Sequence, residues 1–249
     1  MITIKTAQEI TAMKKAGRIA AGALRTARDI LCDGVTTAHV DEAVRKFIYS
    51  MGATPTFLGY SGYPASINIS VNDRVIHGIP NESAVIRDGD IVSIDVGATY
   101  DGYVGDNAAT FAVGEISDEA KKLIDVTREA LKKGIGAAKK GNRVGDIGAA
   151  VQSYVESNGF SVVRAFVGHG VGRKLHEDPE VPNFGKAGHG PRLAPGMTIA
   201  IEPMVNAGGC DIDILDDGWT VVTRDGSLSA HFENTILITD SEPVILTIE

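Results

Sequence analysis

Apolar residues recur at the spacing of an α-helix in four segments of the chain. The first segment follows Thr6, which has the sequence signature of a capping box with Glu9. Ser117 is a similar start signal for the third segment, because acidic residues follow it in the first helical turn. The predicted helices cover about residues 7–31, 38–51, 117–131 and 146–158. Much of the remaining chain is β-like, so the pattern predicts an α+β fold.

A β-hairpin is predicted over residues 91–113, because Asp101-Gly102 is a strong two-residue turn signal between β-like runs. The register that this turn imposes pairs Tyr100 with Tyr103, Gly97 with Asp106, and Asp95 with Ala108. Asp95 and Asp106 then become diagonal neighbours on one face of the hairpin, near enough to share an ion. Gly97 is expected to leave space beside them.

The chain contains an internal repeat with a shift of 107 residues. Among the matched positions are Gly34 with Gly141, Gly89 with Gly196, Ile94 with Ile201, and Asp95 with Glu202. The matched segments 88–95 and 195–202 therefore both end in a carboxylate. We expect two related halves, roughly residues 1–113 and 114–249, that face each other across a pseudo-twofold axis and bring both carboxylates to one cleft. No linker separates them, which predicts a single domain over residues 1–249.

Composition narrows the functional classes. A chain of 249 residues with 43% hydrophobic content can bury roughly three quarters of its unfolded surface. A net charge of −8 disfavours a role based on binding nucleic acid or an anionic membrane. Cys32 and Cys210 form no close pair, so neither a disulfide framework nor a zinc finger is indicated. No apolar run approaches the roughly 20 residues that cross a bilayer, and we expect a soluble, cytoplasmic protein.

Four carboxylates and one imidazole lie inside or beside apolar β-like runs. They are Asp95, Asp106, His169, Glu202 and Glu233. Buried ionised groups need a cation, a proton or a partner to offset their desolvation. Together these donors suit Mn, Fe, Co or Zn, often as a pair of ions that activates water to hydrolyse acyl or phosphoryl bonds. Taken singly, each aspartate could be an ordinary edge-strand residue and each glutamate a partner in a salt bridge.

His169 lies among alternating glycines, directly after the apolar run 161–166. Glycine removes side-chain bulk and permits positive φ, so backbone or substrate can approach the imidazole closely. This favours a ligand or catalytic role for His169 over a structural one. His176 precedes Glu177, Asp178 and Pro179, and we expect it in an irregular segment that faces the same opening.

The two glutamates are predicted on strands. Glu202 ends an apolar run, and Pro203 then stops ladder pairing. Glu233 lies in a predicted strand, residues 230–238, which Asp225-Gly226 is expected to join to residues 219–223 as a hairpin. The acidic stretch 211–217 is interpreted as an exposed turn, because its spacing is out of register for a calcium loop. The sequence has no phosphate-binding, dinucleotide or serine-hydrolase motif.

Four aromatic residues form a further candidate group: Phe57, Tyr60, Tyr63 and Trp219. Aromatic side chains supply a large apolar area, which serves a recognition pocket and an ordinary core equally well. The residues alone leave both interpretations open.

The five donors and a set of ordered motifs closely resemble bacterial type I methionine aminopeptidases. The motifs are His77-Gly78-Ile79-Pro80, Gly168-His169-Gly170-Val171-Gly172, His176-Glu177-Asp178-Pro179, Ile201-Glu202-Pro203-Met204 and Gly218-Trp219-Thr220. The resemblance covers essentially the whole chain. It implies the pita-bread fold, in which two pseudo-twofold-related α/β halves surround a central antiparallel sheet. It also implies removal of the initiator methionine from nascent proteins whose second residue is small.

The resemblance further implies roles for individual residues. Asp95 and Asp106 would hold one divalent ion, and Asp106, His169, Glu202 and Glu233 the other, with Asp106 and Glu233 bridging. A bridging hydroxide would attack the first peptide bond, and Glu202 would relay a proton to the leaving amine. His77 and His176 would hydrogen-bond the substrate carbonyl. The methionine side chain would lie among Phe57, Tyr60, Tyr63, Leu175 and Trp219, which suits a polarizable thioether.

Three positions depart from the commonest family pattern. Cys is frequent at the position of Asn68, and Ser or Thr at that of Asn107. His is frequent at the position of Asn234. Because they flank or line the site and are not ligands, they bear on metal preference and pocket shape more than on the reaction. The family further implies a monomer that acts on the N-terminal peptide of nascent proteins, at the ribosome, with no nucleic acid or membrane required.

Two rivals remain at this point. A proline-directed peptidase of the same fold would normally carry an additional N-terminal domain, whereas this chain begins almost at its first predicted helix. A non-enzymatic relative that binds peptides, histones or RNA would typically have lost metal donors, and all five are present here.

Overall fold

The helices begin and end within two residues of the predicted positions, except that the third helix continues six residues beyond its predicted end at residue 131. A computed structural model describes residues 1–248. Its α-helices are α1 (Ala7–Ile30), α2 (Thr37–Ser50), α3 (Asp118–Ala137) and α4 (Val144–Ser157). The capping box is confirmed, since the Glu9 amide donates to Thr6 Oγ1 and the Thr6 amide donates to the Glu9 carboxylate. Ser117 caps α3, and Gly134 lets that helix pack closely on Val151 of α4. None of these helices is long and apolar enough to cross a membrane.

The strands within the described residues are mostly short. In chain order they are β1 (Thr54–Pro55), β2 (Ile67–Val71), β3 (Arg74–Ile76), β4 (Ile91–Tyr100), β5 (Tyr103–Ala112), β6 (Ser161–Val162), β7 (Gly168–Gly170), β8 (Glu177–Val181), β9 (Thr198–Ile201), β10 (Met204–Asn206), β11 (Ile212–Ile214), β12 (Val221–Thr223), β13 (Ser229–His231), β14 (Glu233–Leu237) and β15 (Val244–Ile245). A 3₁₀ turn covers Tyr60–Gly62.

A nine-stranded antiparallel sheet forms the centre of the molecule. Its order is β1-β4-β5-β14-β9-β7-β8, with β2 added to β4 and β15 added to β14. Two three-stranded sheets, β13-β10-β6 and β11-β12-β3, complete the described strands. Strands from both predicted halves meet where β5 pairs with β14. The predicted α+β architecture around a central antiparallel sheet is confirmed.

The hairpin of β4 and β5 has the predicted register at every pair. Asp101 and Gly102 adopt φ of 51° and 73°, as a type I′ turn requires. Asp95 lies opposite Ala108 and Gly97 lies opposite Asp106, without a bulge. The space above Gly97 is filled, since a Cβ there would lie 2.8 Å from both Thr56 and Phe57. The missing side chain of Gly97 therefore makes room for Thr56 and Phe57. The expectation that Gly97 leaves open space is wrong.

The 107-residue repeat is visible in the structure. Helices α2 and α4 have bounds that differ by this shift, as do the first residues of β4 and β9. The isolated bridges Thr36–Val85 and Arg143–Arg192 are related in the same way. Equivalent helix faces are fully buried against the sheet: Val40, Val44 and Ile48 in the first half, and Ile147, Val151 and Val155 in the second.

The hairpin predicted at Asp225-Gly226 is wrong. β12 pairs with β11 and β3, whereas β13 pairs with β10 in another sheet. The Asp225 carboxylate accepts hydrogen bonds from the amides of Gly209 and Ser227. Because the side chain is used to hold the neighbouring loop, the turn leads the chain away from β12 instead of folding it back.

The acidic stretch 211–217 is only partly an exposed turn. Ile212–Ile214 form β11, which pairs with β12. Asp217 caps the following turn by accepting from the amides of Trp219 and Thr220.

Candidate active site

A cavity of about 120 Å³ lies at the central sheet. Its lining residues are Phe57, Tyr60, Tyr63, Asn68, His77, Asp95, Asp106, His169, Leu175, His176, Glu202, Trp219 and Glu233. The fold thus brings together the five predicted metal donors, the two predicted substrate histidines and the five predicted pocket residues. They come from both halves of the chain.

The metal donors are placed by consecutive neighbours in the sheet. Asp95 lies on β4, Asp106 on β5, Glu233 at the start of β14 and His169 in the middle of β7. Glu202 follows the last residue of β9. Because β4, β5, β14, β9 and β7 are adjacent in that order, the donors span the middle of the sheet.

The glycines around His169 admit neighbouring chain segments. A Cβ at Gly168 would lie 2.4 Å from Ala200 O, and one at Gly170 would lie 2.2 Å from Asp178 O. Backbone therefore lies close to the two glycines beside His169, while a close approach to the imidazole itself stays a prediction. Positive φ is not the reason, since none of Gly168, Gly170 and Gly172 adopts it.

Three donors form the tightest group among the described residues. Asp106, His169 and Glu233 each present a ligand atom, and these atoms lie within 4.8 Å of one another. His169 Nε2 also lies 3.4 Å from Glu202 Oε1. Asp95 lines the same cavity but, like Glu202, falls outside this group.

Burial leaves several carboxylate oxygens without partners. Within residues 1–248, Asp95 Oδ1, Asp106 Oδ1 and Glu233 Oε1 are buried and accept no hydrogen bond. Unpaired buried oxygens are costly unless a proton or cation satisfies them. The unsatisfied atoms belong to the residues that converge on the cavity, so the site fits a bound cation.

Electrostatics support the same conclusion. Burial raises the pKa of Asp95 to about 7. Burial, and then the charges of Asp95 and Glu202, raise the pKa of Asp106 well above its usual value. Burial and nearby carboxylates also raise the pKa values of Glu202 and Glu233. Adjacent buried carboxylates repel one another when ionised, and a cation bound between them would offset this repulsion.

The histidines of the cavity are held neutral. Burial lowers the pKa of His169 to about 4 and that of His77 to about 4, with a smaller contribution from His176 in both cases. His169 Nδ1 lies 2.9 Å from the carbonyl oxygen of Gly170. Since a carbonyl only accepts, Nδ1 carries the proton and Nε2 presents a lone pair toward the carboxylates, as a metal ligand requires.

We expect the metal-free protein to become more heat-resistant as the pH falls from about 8 to about 6.5. Carboxyl groups whose folded pKa is raised destabilise the folded state above that pKa, and protonation of Asp95 near pH 7 relieves this. Below about 6.5 the neutral histidines oppose the trend, because their folded pKa values are lowered. Thermal melts of metal-free and metal-loaded protein across this range test it. A midpoint that falls, or an equal rise with metal bound, would contradict the prediction.

The other end of the cavity is apolar and rigid. Phe57, Tyr63 and Leu175 are buried, and the Tyr63 hydroxyl donates to Ile67 O and Gly78 O at 3.0 Å. The Trp219 ring stands edge-on to Tyr63 with centroids 5.0 Å apart. This arrangement suits an apolar side chain.

The two predicted substrate histidines lie between the polar and apolar ends. The Tyr60 hydroxyl is 2.7 Å from His176 Nδ1, and the His176 ring is 4.3 Å from that of His169. His77 adopts φ of 58°, which is uncommon outside glycine and is often found at functional sites. Its ring packs edge-on against Phe166.

Some residues of the site were not predicted as functional. Asn68 donates to Asp95 Oδ2 at 2.9 Å, and Asn183 donates to Glu202 O. His231 is 2% exposed, and its Nε2 lies 3.9 Å from Glu202 Oε2. His231 had a sequence signal, because it stands two residues before Glu233 in a β-like run. Asn68 was singled out only as a departure from the family pattern, and no sequence signal indicated its contact with Asp95.

The remaining departures from the family pattern contact each other. Asn234 Nδ2 donates to Asn107 Oδ1 at 3.2 Å and to Thr247 Oγ1 at 3.0 Å. Each Asn follows a predicted metal donor, so the pair links β5 to β14 beside the donors.

Comparisons with known proteins agree with the geometry. The profile of metallopeptidase family M24 matches residues 11–240. The methionine aminopeptidase of Clostridium perfringens is 55% identical over 248 residues, which are 100% of this chain and 99% of that protein. The crystal structure of methionine aminopeptidase from Thermotoga maritima has a TM-score of 0.99 and 50% identity, and each chain covers 100% of the other. A prolidase from Pyrococcus furiosus has a TM-score of 0.81 and 26% identity, and this chain covers 65% of it.

Proposed function

Because the chain belongs to metallopeptidase family M24 and is a methionine aminopeptidase, we propose that it removes the initiator methionine of nascent proteins whose second residue is small. The observation that carries the proposal is the cavity in which the five proposed metal donors adjoin an aromatic pocket. Since both halves line it, residues 1–249 are proposed to act as one catalytic domain.

Two divalent ions, Fe, Mn, Co or Zn, are proposed at the carboxylate end. Asp95 and Asp106 would hold one ion, and Asp106, His169, Glu202 and Glu233 the other. The partnerless oxygens and the lone pair of His169 support this assignment. When bound, such ions polarise carbonyl oxygens and lower the pKa of water.

Glu202 is proposed to move the proton. It is a buried carboxyl whose pKa burial raises, so it can accept a proton from attacking water and return it to the leaving amine. Its position beside His169 and just after β9 fixes the carboxyl at the edge of the donor group.

His77 and His176 are proposed to donate hydrogen bonds to the substrate carbonyl oxygen. Both have lowered pKa values through burial, so each is a neutral donor. The Tyr60 hydroxyl lies 2.7 Å from His176 Nδ1, and in the proposed tautomer it donates to Nδ1, which leaves the proton of His176 on Nε2. Donors fixed before the reaction stabilise the charge that develops on the carbonyl oxygen.

The methionine side chain is proposed to occupy the apolar end, among Phe57, Tyr60, Tyr63, Leu175 and Trp219. Aromatic edges contact a thioether favourably.

Metal-loaded protein should release methionine from Met-Ala-Ser, and at least about tenfold more slowly from Met-Lys-Ser. Ala-Pro-Ser should not be cleaved, because its first side chain leaves the apolar end empty. Chromatographic detection of the free amino acid with each peptide measures this. Equal turnover of Ala-Pro-Ser would favour a proline-directed peptidase, and equal turnover of Met-Lys-Ser would contradict the preference for a small second residue.

The proposal includes a cytoplasmic monomer that acts on peptides emerging from the ribosome and needs no nucleic acid. The net charge of −8 supports the last point. Gel filtration and co-sedimentation with ribosomes test the rest.

A further inference from the structure

The carboxylate of Glu177, directly after His176, is held by several groups at once. It accepts hydrogen bonds from Lys5 Nζ at 2.7 Å, Thr3 Oγ1 at 2.8 Å and the Lys174 amide at 3.2 Å. Lys5 Nζ also donates to Thr3 Oγ1. Glu177 therefore ties the chain before α1 to the segment that carries His176.

The ion pair of Lys5 with Glu177 differs from the surface pairs of this protein. The side chains of Lys5 and Glu177 are only 6% and 13% exposed. In the equally short pair of Lys139 and Glu242, they are 47% and 72% exposed. Exposed pairs contribute little, whereas loss of one partner from a buried pair leaves a charge uncompensated.

Lys5 is itself anchored to the frame of the active site. Its backbone amide donates to Gly196 O at 2.8 Å, in the turn before β9. β9 leads directly to Glu202. The Lys5 side chain consequently reaches Glu177 from a fixed backbone position.

The segment between β7 and β8 is fitted around this carboxylate. A Cβ at Gly172 would lie 2.5 Å from Glu177 Oε1. The Gly172 carbonyl accepts from the Val104 amide, and its amide donates to Lys174 O. The segment 172–176 is thus held at both ends, and its last two residues, Leu175 and His176, line the cavity.

We infer that Lys5 and Glu177 are positioning residues, whose ion pair holds segment 172–176 so that His176 and Leu175 face the substrate. This inference rests on the proposed function of His176. It makes the chain before α1 part of the active-site support, although that chain does not line the cavity. Since small displacements of groups near the reacting atoms are costly to the rate, loosening this segment should act mainly on kcat.

The test uses Lys5→Met and Glu177→Gln, which keep side-chain length but remove charge. With Met-Ala-Ser we expect kcat to fall roughly tenfold and KM to change less than about threefold. Metal content per chain should stay at the wild-type value. Lys5→Arg, which keeps the charge, should retain most of the wild-type kcat. The double variant should lose no more than the worse single variant, because both changes break the same contact.

Amide hydrogen exchange provides a readout that does not depend on hydrolysis. Peptides covering residues 172–177 of metal-free protein should exchange faster in Lys5→Met and Glu177→Gln than in wild type. Lys139→Met and Glu242→Gln are the matched controls, because they break an equally short pair away from the cavity, and both should keep the wild-type kcat and exchange.

Unchanged exchange at residues 172–177 in both variants would overturn the inference, as would an undiminished kcat. A kcat loss matched by an equal loss of folded protein or bound metal would also overturn it, because the pair would then serve only general stability. If wild-type protein failed to cleave Met-Ala-Ser, the proposed function would fail, while the exchange experiment would still decide whether the pair holds the segment.

Discussion

Replacing Asp106 by Asn should lower peptide hydrolysis by more than about a hundredfold while making the metal-free protein more resistant to heat. Substituting residues that hydrogen-bond metal ligands typically costs about 10–100-fold in metal affinity or activity. Asp106 belongs to the tightest group of proposed donors, so its loss should cost more. The same carboxylate is 4% exposed, and its pKa is raised by burial and by the charges of Asp95 and Glu202. Asparagine needs neither ionisation nor proton uptake at this buried position, so the folded state should gain stability when no cation is bound.

Thermal melts with and without added Mn²⁺, together with metal analysis, measure both effects. The midpoint of the metal-free variant should rise, by about 2–4 °C for each kcal/mol of relief in a chain of this size. The increase that Mn²⁺ gives to wild type should shrink. Asp216→Asn is the matched control, because Asp216 is exposed. A variant that binds Mn²⁺ like wild type but melts earlier without it would show that Asp106 is an ordinary structural residue.

Local signals in the sequence predicted the carboxylate hairpin fully. The turn at Asp101-Gly102 fixes which residues of β4 and β5 lie opposite each other, and every pair follows from it. Side chains alternate between faces with a period of two, so a correct turn also fixes which face carries Asp95 and Asp106. The repeat added the long-range part, because it predicted that Asp95 and Glu202 occupy equivalent positions. Its expectation that both end their elements is wrong for Asp95, since β4 continues to Tyr100 whereas β9 ends at Ile201.

Where two strands are not joined by a tight turn, the sequence does not indicate the register in which they pair. Asn68 lies opposite Asp95 across β2 and β4, yet 19 residues without a hairpin signal separate these strands. The turn at Asp225-Gly226 had the right residues and still did not make a hairpin, because its carboxylate bonds the loop at Gly209. Tertiary contacts of this kind overrule local turn preference.

The site residues were found for a related physical reason. Ionisable groups inside apolar runs are visible in a sequence because they contradict their surroundings. Asp106 and Glu233 were therefore evident, whereas Glu177 was placed only in a segment expected to be irregular and was given no role. It pairs with Lys5, which lies 172 positions away, and no local pattern reports such a pairing.

Replacement of His176 by Ala should lower kcat by about 10²–10³ and leave the metal content unchanged. His176 lies against His169 but outside the donor group, and its Nδ1 contacts the Tyr60 hydroxyl. A neutral imidazole held in this way is an oriented donor for charge that develops on the substrate carbonyl. Because that charge exists mainly in the transition state, KM should change little.

Steady-state kinetics with Met-Ala-Ser and metal analysis of the same preparation separate the roles open to His176. His189→Ala is the matched control, since His189 is exposed. If His176 were a ligand, metal would be lost together with activity, and excess Mn²⁺ would restore part of the rate. If it only shaped the methionine pocket, KM would rise and kcat would persist. A low kcat at full metal content and nearly unchanged KM is expected only if His176 acts on the reacting carbonyl, which is also what makes its anchoring through Glu177 matter for the rate.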